Sequence, residues 1–422
     1  MTIGQSLYTT TTRAIEPFLG TVLRRRAAKG KEDAGRINER FARNLMARPS
    51  APIVWLHGAS VGESMMLLEL ARQLQAAHPS IHILMTSQTL TSATLINARI
   101  SQSPTPTITH QFAPFDTPAI ATRFLGHWQP ITAIFAESEI WPNLLRELRT
   151  RATPTALVNA RMTAKSLKGW SKWPSFSREL FGDFDALLAA DTQTAEGLSR
   201  ITGRDVTTPG NLKFAIPISA PDEEAVAALK AGLVSDRLCL VAASTHQTEE
   251  AFILDAWEKM APRPVLIIAP RHPERRADIQ ALLNTRNITH TVRSQTHDAP
   301  ADTQVLLADT LGEMALWYEL ADTVYLGGGQ AEGVGGHNPL EPIRQGRHVL
   351  TGRNVHNFAD IMARMQQFGA LRFVDTPAEV ANAFPSPPFP ATVLQELEQE
   401  SSAPMTATLA ALAPLITRGL TT

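Results

Sequence analysis

The 422-residue chain contains a single cysteine, Cys239, set in the apolar stretch LCLVAAS. One thiol rules out a disulfide framework, and its surroundings predict a buried, inert side chain in a cytosolic chain. There is no excess of charge either: 39 Lys and Arg against 40 Asp and Glu give a formal net charge of −1. Without a cationic field, nucleic acid is not an expected partner. The 12 histidines are scattered, and no HExxH, CxxC or DxD-type pair appears, so no metal centre is expected; His337 and His356 read as polar loop residues. A GKS/T ending and GxGxxG are both missing, and GASVG lacks the GxSxG spacing of a nucleophile elbow. No apolar run approaches the roughly 20 residues of a spanning helix, and nothing reads as a cleavable signal peptide. With 44% hydrophobic and 19% charged residues, a globular chain of two domains is expected.

Charge is uneven along the chain. Residues 1–50 carry ten Lys or Arg and four Asp or Glu, a local net charge of 10 − 4 = +6. Just before the arginines at 24–26 lies AIEPFLGTVL, apolar but broken by Glu16, Pro17 and Gly20. Such a piece fits an amphipathic segment resting on an anionic leaflet, or an ordinary surface helix with a basic face.

Two rounds of alternating β and α patterning follow. Apolar runs IVWLH (53–57), IHILMTS (81–87), ITAIFAES (131–138), TALVNAR (155–161) and DALLAA (185–190) occupy the first half. RLCLVAAS (237–244), PVLIIAP (264–270), VLLADT (305–310), TVYLGGG (323–329) and RHVLTG (347–352) occupy the second. Continuous hydrophobicity marks strands covered on both faces, hence parallel sheets under helices. The fold class is α/β, two Rossmann-like domains in tandem. The boundaries read as a basic segment 1–50, a first domain 51–208, a linker 209–220, a second domain 221–392 and a terminal helix 393–422 that packs back on the first domain.

Chemistry-bearing residues gather at strand ends. In LHGASVGES (56–64), Gly58, Ser60, Gly62 and Glu63 form a turn leading into a helix. A carboxylate there is either a proton acceptor or a helix cap, since Ser60 and Glu63 also match the S-x-x-E capping box. FAESEIWPNL places Glu137 and Glu139 at another strand end, with Glu139 beside Trp141 the better candidate. NARMTAKS brings Asn159, Arg161 and Lys165 to the next, and GNLKF sets Lys213 on the linker. In the second half the candidates are Ser244 and Thr245, Pro270, Arg271 and His272, then Thr310, Gly312, Glu313 and Met314. The last stretch, GGGQAEGVGGHNPLEP (327–342), supplies Gly336, Asn338, Pro339, Leu340 and Glu341. Cations, free amides and a carboxylate able to accept from a ribose diol suit a nucleotide.

In order, HGASVGE, FAPFDTPAIATRFL, ESEIWPNL, NARMTAKS, GNLKF, AASTHQTEE, APRHPER, LGEM and GGHNPLEP resemble bacterial 3-deoxy-D-manno-octulosonic acid (Kdo) transferases over nearly the whole chain. The resemblance implies the two-domain GT-B glycosyltransferase fold and transfer of Kdo from CMP-Kdo to a lipid A precursor. It implies work at the cytoplasmic face of the bacterial inner membrane, with no metal or other cofactor. It makes Glu63 the general base, with Glu139 or Glu137 and Lys213 assisting the transition state. Ser60, Gly62, Asn159 and Arg161 would face the acceptor. CMP would be held around Ser244, Pro270, Arg271, His272, Thr310 to Met314, Gly336 and Asn338 to Glu341. SQTLTSAT (87–94) departs from the threonine- and proline-rich segment usual there. The N-terminal apolar stretch is shorter than is usual, which favours peripheral attachment over spanning. The rivals are another nucleotide-sugar enzyme, such as a UDP-GlcNAc transferase or epimerase, and a non-catalytic nucleotide-binding membrane scaffold. Protection from unfolding by CMP rather than UDP separates the first, and the three candidate catalytic groups argue against the second.

Overall fold

The computed structural model describes residues 2–101, 107–216, 220–296, 300–356, 358–387, 389 and 391–421. The chain forms two compact units, Met1–Pro217 together with Glu400–Thr422, and Ile218–Gln399.

Unit 1 holds a six-stranded sheet in the order β3-β2-β1-β4-β5-β6. Its strands are β1 (Ile53–His57), β2 (His82–Ser87), β3 (Ile108–Phe112), β4 (Thr132–Ala136), β5 (Thr155–Ala160) and β6 (Ala186–Ala189). Every pairing is parallel. Ile53 to Leu56 are fully buried because helices cover both faces, as the unbroken apolar runs require. One face is an aromatic cluster with Trp55, Phe124, Trp128, Phe135, Phe181 and Phe184. The other packs Leu67, Leu70 and Leu74 of the helix Val61–Ala77 against Val54, Leu56 and Ile134. Met405, Leu412 and Ile416 of the helix Ala391–Thr421 complete that second cluster. A Cβ added at Gly419 would lie 2.3 Å from the Ile131 carbonyl oxygen, so only glycine lets this helix approach so closely.

Unit 2 holds a seven-stranded parallel sheet in the order β13-β12-β11-β7-β8-β10-β9. These are β7 (Cys239–Thr245), β8 (Val265–Pro270), β9 (His290–Val292), β10 (Val305–Leu307), β11 (Thr323–Leu326), β12 (His348–Thr351) and β13 (Leu371–Phe373). Cys239 is fully buried, and burial pushes its thiol far up. In each sheet the winding reverses once, between β1 and β4 and between β7 and β11. At such a point neighbouring helices leave on opposite faces, and the loops after the strands are free to hold a ligand.

The N-terminal helix Ile3–Ala27 is longer than the broken apolar piece in the sequence suggests, and Pro17 lies inside it. Its arrangement inverts the usual amphipathic pattern. The inner face is polar. Gln5 donates to the Pro142 carbonyl at 3.3 Å, Thr9 Oγ1 to Asn143 Oδ1 at 2.9 Å, and Thr117 Oγ1 to Glu16 at 2.5 Å. Buried Asn143 returns a bond to Thr12 at 3.0 Å and another to the Asp116 carbonyl at 2.7 Å. Asp116 accepts the amides of Asn143 and Leu144, and burial raises its carboxyl to about 6. The outer face exposes Ile3, Leu7, Ile15, Phe18 and Val22, followed by Arg24 to Arg26.

Asn143→Ala would leave the buried Thr9 hydroxyl without its acceptor and the Asp116 carbonyl without the Asn143 donor, at a cost of about 1–3 kcal/mol. The expected result is a lower urea midpoint for unit 1 and faster tryptic cleavage at residues 24–26. An unchanged midpoint with unchanged cleavage would show that the polar face does not hold this helix.

Candidate active site

In unit 1 the loop after β1 bends at Gly58, whose missing Cβ leaves room for the Glu63 side chain 3.0 Å away. Ser60 is the N-cap of the helix Val61–Ala77 and its Oγ accepts the Glu63 N–H at 3.2 Å. The Glu63 carboxylate folds back to accept the Ser60 hydroxyl at 2.6 Å and the Ala59 N–H at 2.8 Å. The cap expected from the S-x-x-E spacing is therefore present. It leaves Glu63 only 7% exposed. Burial raises its carboxyl above the ordinary range, hydrogen bonds from Ser60 and Ala59 oppose the rise, and the charges of Glu137 and Glu139 add to it.

The loop after β4 begins with Glu137 in the left-handed region, φ 53°, so its carboxylate leaves the strand direction. It meets Lys213 Nζ at 2.5 Å, and a Cβ added at Gly62 would lie 3.5 Å from Lys213 Cε, so the lysine stem passes beside that glycine. Lys213 is thus not a solvated linker residue but the cation of an ion pair beside the Glu63 turn. Glu139 is tied down separately. One of its oxygens, Oε2, lies 3.0 Å from His57 Nε2, 3.1 Å from Gln88 Nε2 and 3.0 Å from Trp141 Nε1. Burial alone would raise Glu139, but these donors and His57 outweigh it and bring the carboxyl below its usual range. Asn159 is buried, donating to Glu137 at 3.4 Å and accepting the Leu212 N–H at 2.8 Å. It fixes the GNLKF stretch under β5, whereas Arg161 stands half-buried just beyond that strand.

In unit 2 the corresponding edge is built around a residue that the sequence reading passed over. Glu249 is fully buried, and its carboxylate accepts three backbone amides: His246 at 2.9 Å, Gly328 at 2.8 Å and Gln330 at 3.0 Å. It thereby ties the loop after β7 to the loop after β11. A Cβ on Gly327 would fall 2.5 Å from the Ser244 carbonyl oxygen, so the two loops touch there. Ser244 has φ 54° at a bulge in the β7–β8 pairing. Glu250 accepts a two-pronged pair from Arg275, at 2.7 and 3.1 Å, and a bond from Thr245. The only trace of this in the sequence is two acids at a helix start after a strand.

Arg271 N–H bonds the Thr245 carbonyl at 3.0 Å. Its side chain is exposed, and it has no ion-pair partner among the described residues. His272 lies 3.3 Å from Glu274, also exposed. The imidazole rings of His246 and His337 stack, with centroids 5.1 Å apart and Nε2 atoms at 2.8 Å, so His337 is more than a loop residue. Thr310 donates to Glu313, which also pairs with Arg293 at 2.8 Å, so this carboxylate is committed within the turn. Gly312 (φ 87°) is open to solvent, and Met314 starts the helix Met314–Leu320. Gly336 (φ 81°) lets the loop approach Val355, while Asn338 caps the Leu340 amide at 3.1 Å. Pro339 and Leu340 are buried, so their side chains face the core and any ligand there meets backbone; Glu341 is exposed. Among the described residues no group of three or more His, Cys, Asp or Glu side chains converges on a metal position.

The sequence model described as 3-deoxy-D-manno-octulosonic-acid transferase (kdotransferase) matches residues 35–216. A probable 3-deoxy-D-manno-octulosonic acid transferase, mitochondrial, of Arabidopsis thaliana is 33% identical over 379 residues, covering 86% of this chain and 83% of that protein. This chain belongs to the Kdo transferase family. The 3-deoxy-D-manno-octulosonic acid transferase of Bordetella pertussis is 30% identical over 376 residues, covering 85% of each. It is thus a glycosyltransferase, as the sequence motifs suggest. The crystal structure of UDP-GlcNAc 2-epimerase from Neisseria meningitidis covers 87% of this chain and 99% of its own, with a TM-score of 0.51 at 13% identity. That likeness speaks for the GT-B fold alone.

His337 is held down to about 4, against an ordinary 6.5, by burial and then by nearby cationic groups. Between those pH values the unfolded chain takes up a proton that the folded chain refuses. Its contribution to stability is therefore complete above about pH 6.5 and is lost as pH falls toward 4. Urea midpoints of His337→Gln should fall less steeply over this window than those of the unaltered chain. Equal slopes would mean that the pair does not titrate with folding.

Proposed function

We propose that this Kdo transferase moves Kdo from CMP-Kdo to a lipid A precursor by a single inverting displacement, with Glu63 as the general base. The observation that carries the reading is the Glu63 carboxylate itself: nearly buried, raised in basicity, and set at the winding reversal of unit 1 beside the Lys213–Glu137 pair. A general base works best when its pKa lies closer to the operating pH than a free carboxylate's does. The bond to the Ser60 hydroxyl is one an incoming sugar hydroxyl can replace, so capping in the free chain and catalysis in the loaded one are compatible.

In the step, the acceptor hydroxyl loses its proton to Glu63 and its oxygen bonds to the anomeric carbon of Kdo. The bond from that carbon to the CMP phosphate oxygen breaks, and CMP leaves with the electron pair. Attack opposite the leaving group inverts the anomeric centre. Arg271 supplies positive charge for the developing phosphate dianion, so no metal is required in this reading, and Lys213 holds Glu137 beside the Glu63 turn. Glu139, locked by three donors, shapes the pocket around His57 and Trp141 rather than moving a proton. The donor is read by unit 2 through Arg271, the Thr310–Met314 turn and the Asn338–Glu341 segment.

Among the described residues no helix is long and apolar enough to cross a membrane. Attachment is peripheral in this reading, at the cytoplasmic face of the inner membrane. The outward residues Ile15, Phe18 and Val22 of Ile3–Ala27 enter the headgroup region, with Arg24, Arg25 and Arg26 on anionic lipid.

Glu63→Gln should leave CMP binding by calorimetry unchanged and cut transfer of labelled Kdo by roughly 10²–10⁴-fold. Wild-type turnover in that variant would remove Glu63 from the reaction. Phe18→Glu should abolish flotation with anionic vesicles but leave transfer activity in detergent unchanged; undiminished flotation would refute attachment through this face.

A further inference from the structure

One apolar feature of unit 1 has no part in the chemistry above. Between the N-terminal helix and the helices Ala164–Ser171 and Pro174–Gly182 runs a groove of about 600 Å³. Leu7 and Tyr8 form one wall, and Trp170, Trp173 and Phe176 the other. Trp173 is 52% exposed and Leu7 is 58% exposed, so a large apolar surface faces outward in the free chain. Gly4 sits under Phe176, where a Cβ would fall 2.7 Å from the ring, so the helix is pressed against this wall. No charged side chain lines the groove. A polar ligand would find few partners there, and a hydrocarbon chain would displace only poorly satisfied water.

Charge and position narrow the occupant. Lys165, Lys168 and Lys172 are exposed on or just after the helix Ala164–Ser171, at i, i+3 and i+7, and Arg13 is exposed on the N-terminal helix. These cations suit an amphiphile with an anionic head. The groove also lies at the catalytic edge of the sheet. Its N-terminal helix is bonded to Pro142 and Asn143, which open the helix after β4, the strand that delivers Glu137 and Glu139. The helix carrying Trp170 follows β5.

We propose that the groove between Ile3–Ala27 and Ala164–Gly182 binds one acyl chain of the acylated acceptor while its sugar hydroxyl is presented to Glu63. This rests on the acceptor reading above. The groove is then an acceptor subsite distinct from the outward stripe Ile15, Phe18 and Val22, which meets the bilayer.

Gly169 provides a clean test. It is exposed, its Cβ position has nothing within 4 Å, and it lies in a helix where any side chain is better tolerated than glycine. Gly169→Phe fills the groove from its rim, and Trp173→Ala removes one wall. In detergent micelles, both variants should raise KM for an acylated lipid A precursor by about tenfold with kcat kept, and leave KM for its deacylated counterpart unchanged. Flotation of Gly169→Phe with anionic vesicles should stay at the wild-type level. Unchanged KM for the acylated acceptor, or equal shifts for both acceptors, would overturn the proposal. So would lost flotation with KM retained, which would make the groove a bilayer contact. Quenching of tryptophan fluorescence by a precursor with brominated chains reads the groove without turnover, and should be weakened in Gly169→Phe. If the unaltered chain transfers to neither acceptor, the function reading fails; quenching that is equal in both proteins sinks the groove alone.

Discussion

A parallel sheet with helices on both faces sends every strand's carboxyl end to the same edge, and that constraint organises both halves of this chain. The backbone cannot turn back within the sheet, so each strand must exit through a loop into a crossover helix. Where the winding reverses, two such loops stand side by side with no crossover between them. Glu63 and Glu137 occupy this position in unit 1, and the Glu249-linked loops occupy it in unit 2. Loop residues are thereby fixed by rigid strands at one edge of each sheet.

The two edges solve the problem of loop rigidity with opposite means. In unit 1 the turn is closed by the side chain proposed above as the general base: the Glu63 carboxylate caps its own helix. In unit 2 the clamp is a separate residue: Glu249 accepts three amides, while the Arg271 side chain stands exposed. A buried anion without a counter-cation is costly unless hydrogen bonds replace its water. Three amides do so, and the loops they come from are held as one piece.

The interior of each sheet was legible in the sequence because strands covered on both faces must be apolar throughout. β1, β2, β4, β5 and β6 in unit 1 and β7, β8, β10, β11 and β12 in unit 2 all fall on runs recognised by that rule. The strands it missed, β3, β9 and β13, lie at the edges of their sheets. There the half-buried His290 and the exposed Arg372 interrupt the apolar pattern, and in β3 the buried polar residues His110 and Gln111 do so. At the site, the Ser60–Glu63 spacing was visible but ambiguous, since capping and catalysis ask for the same residues. The roles of His57, Glu249 and the His246–His337 pair were not visible. Each depends on a partner 29 to 91 positions away, and spacing along the chain carries no record of such meetings.

The terminal helix ties unit 1 to the far end of the chain. Met405, Leu412, Leu415 and Ile416 fill a core whose other buried residues lie before position 217. Unit 2, by contrast, is continuous in sequence. During synthesis the intervening unit therefore has all its parts first, while the amino-terminal half waits, one flank of its core uncovered, until residues 400–422 have left the ribosome. Order of completion runs against order of translation, and that interval is when chaperones would find this protein.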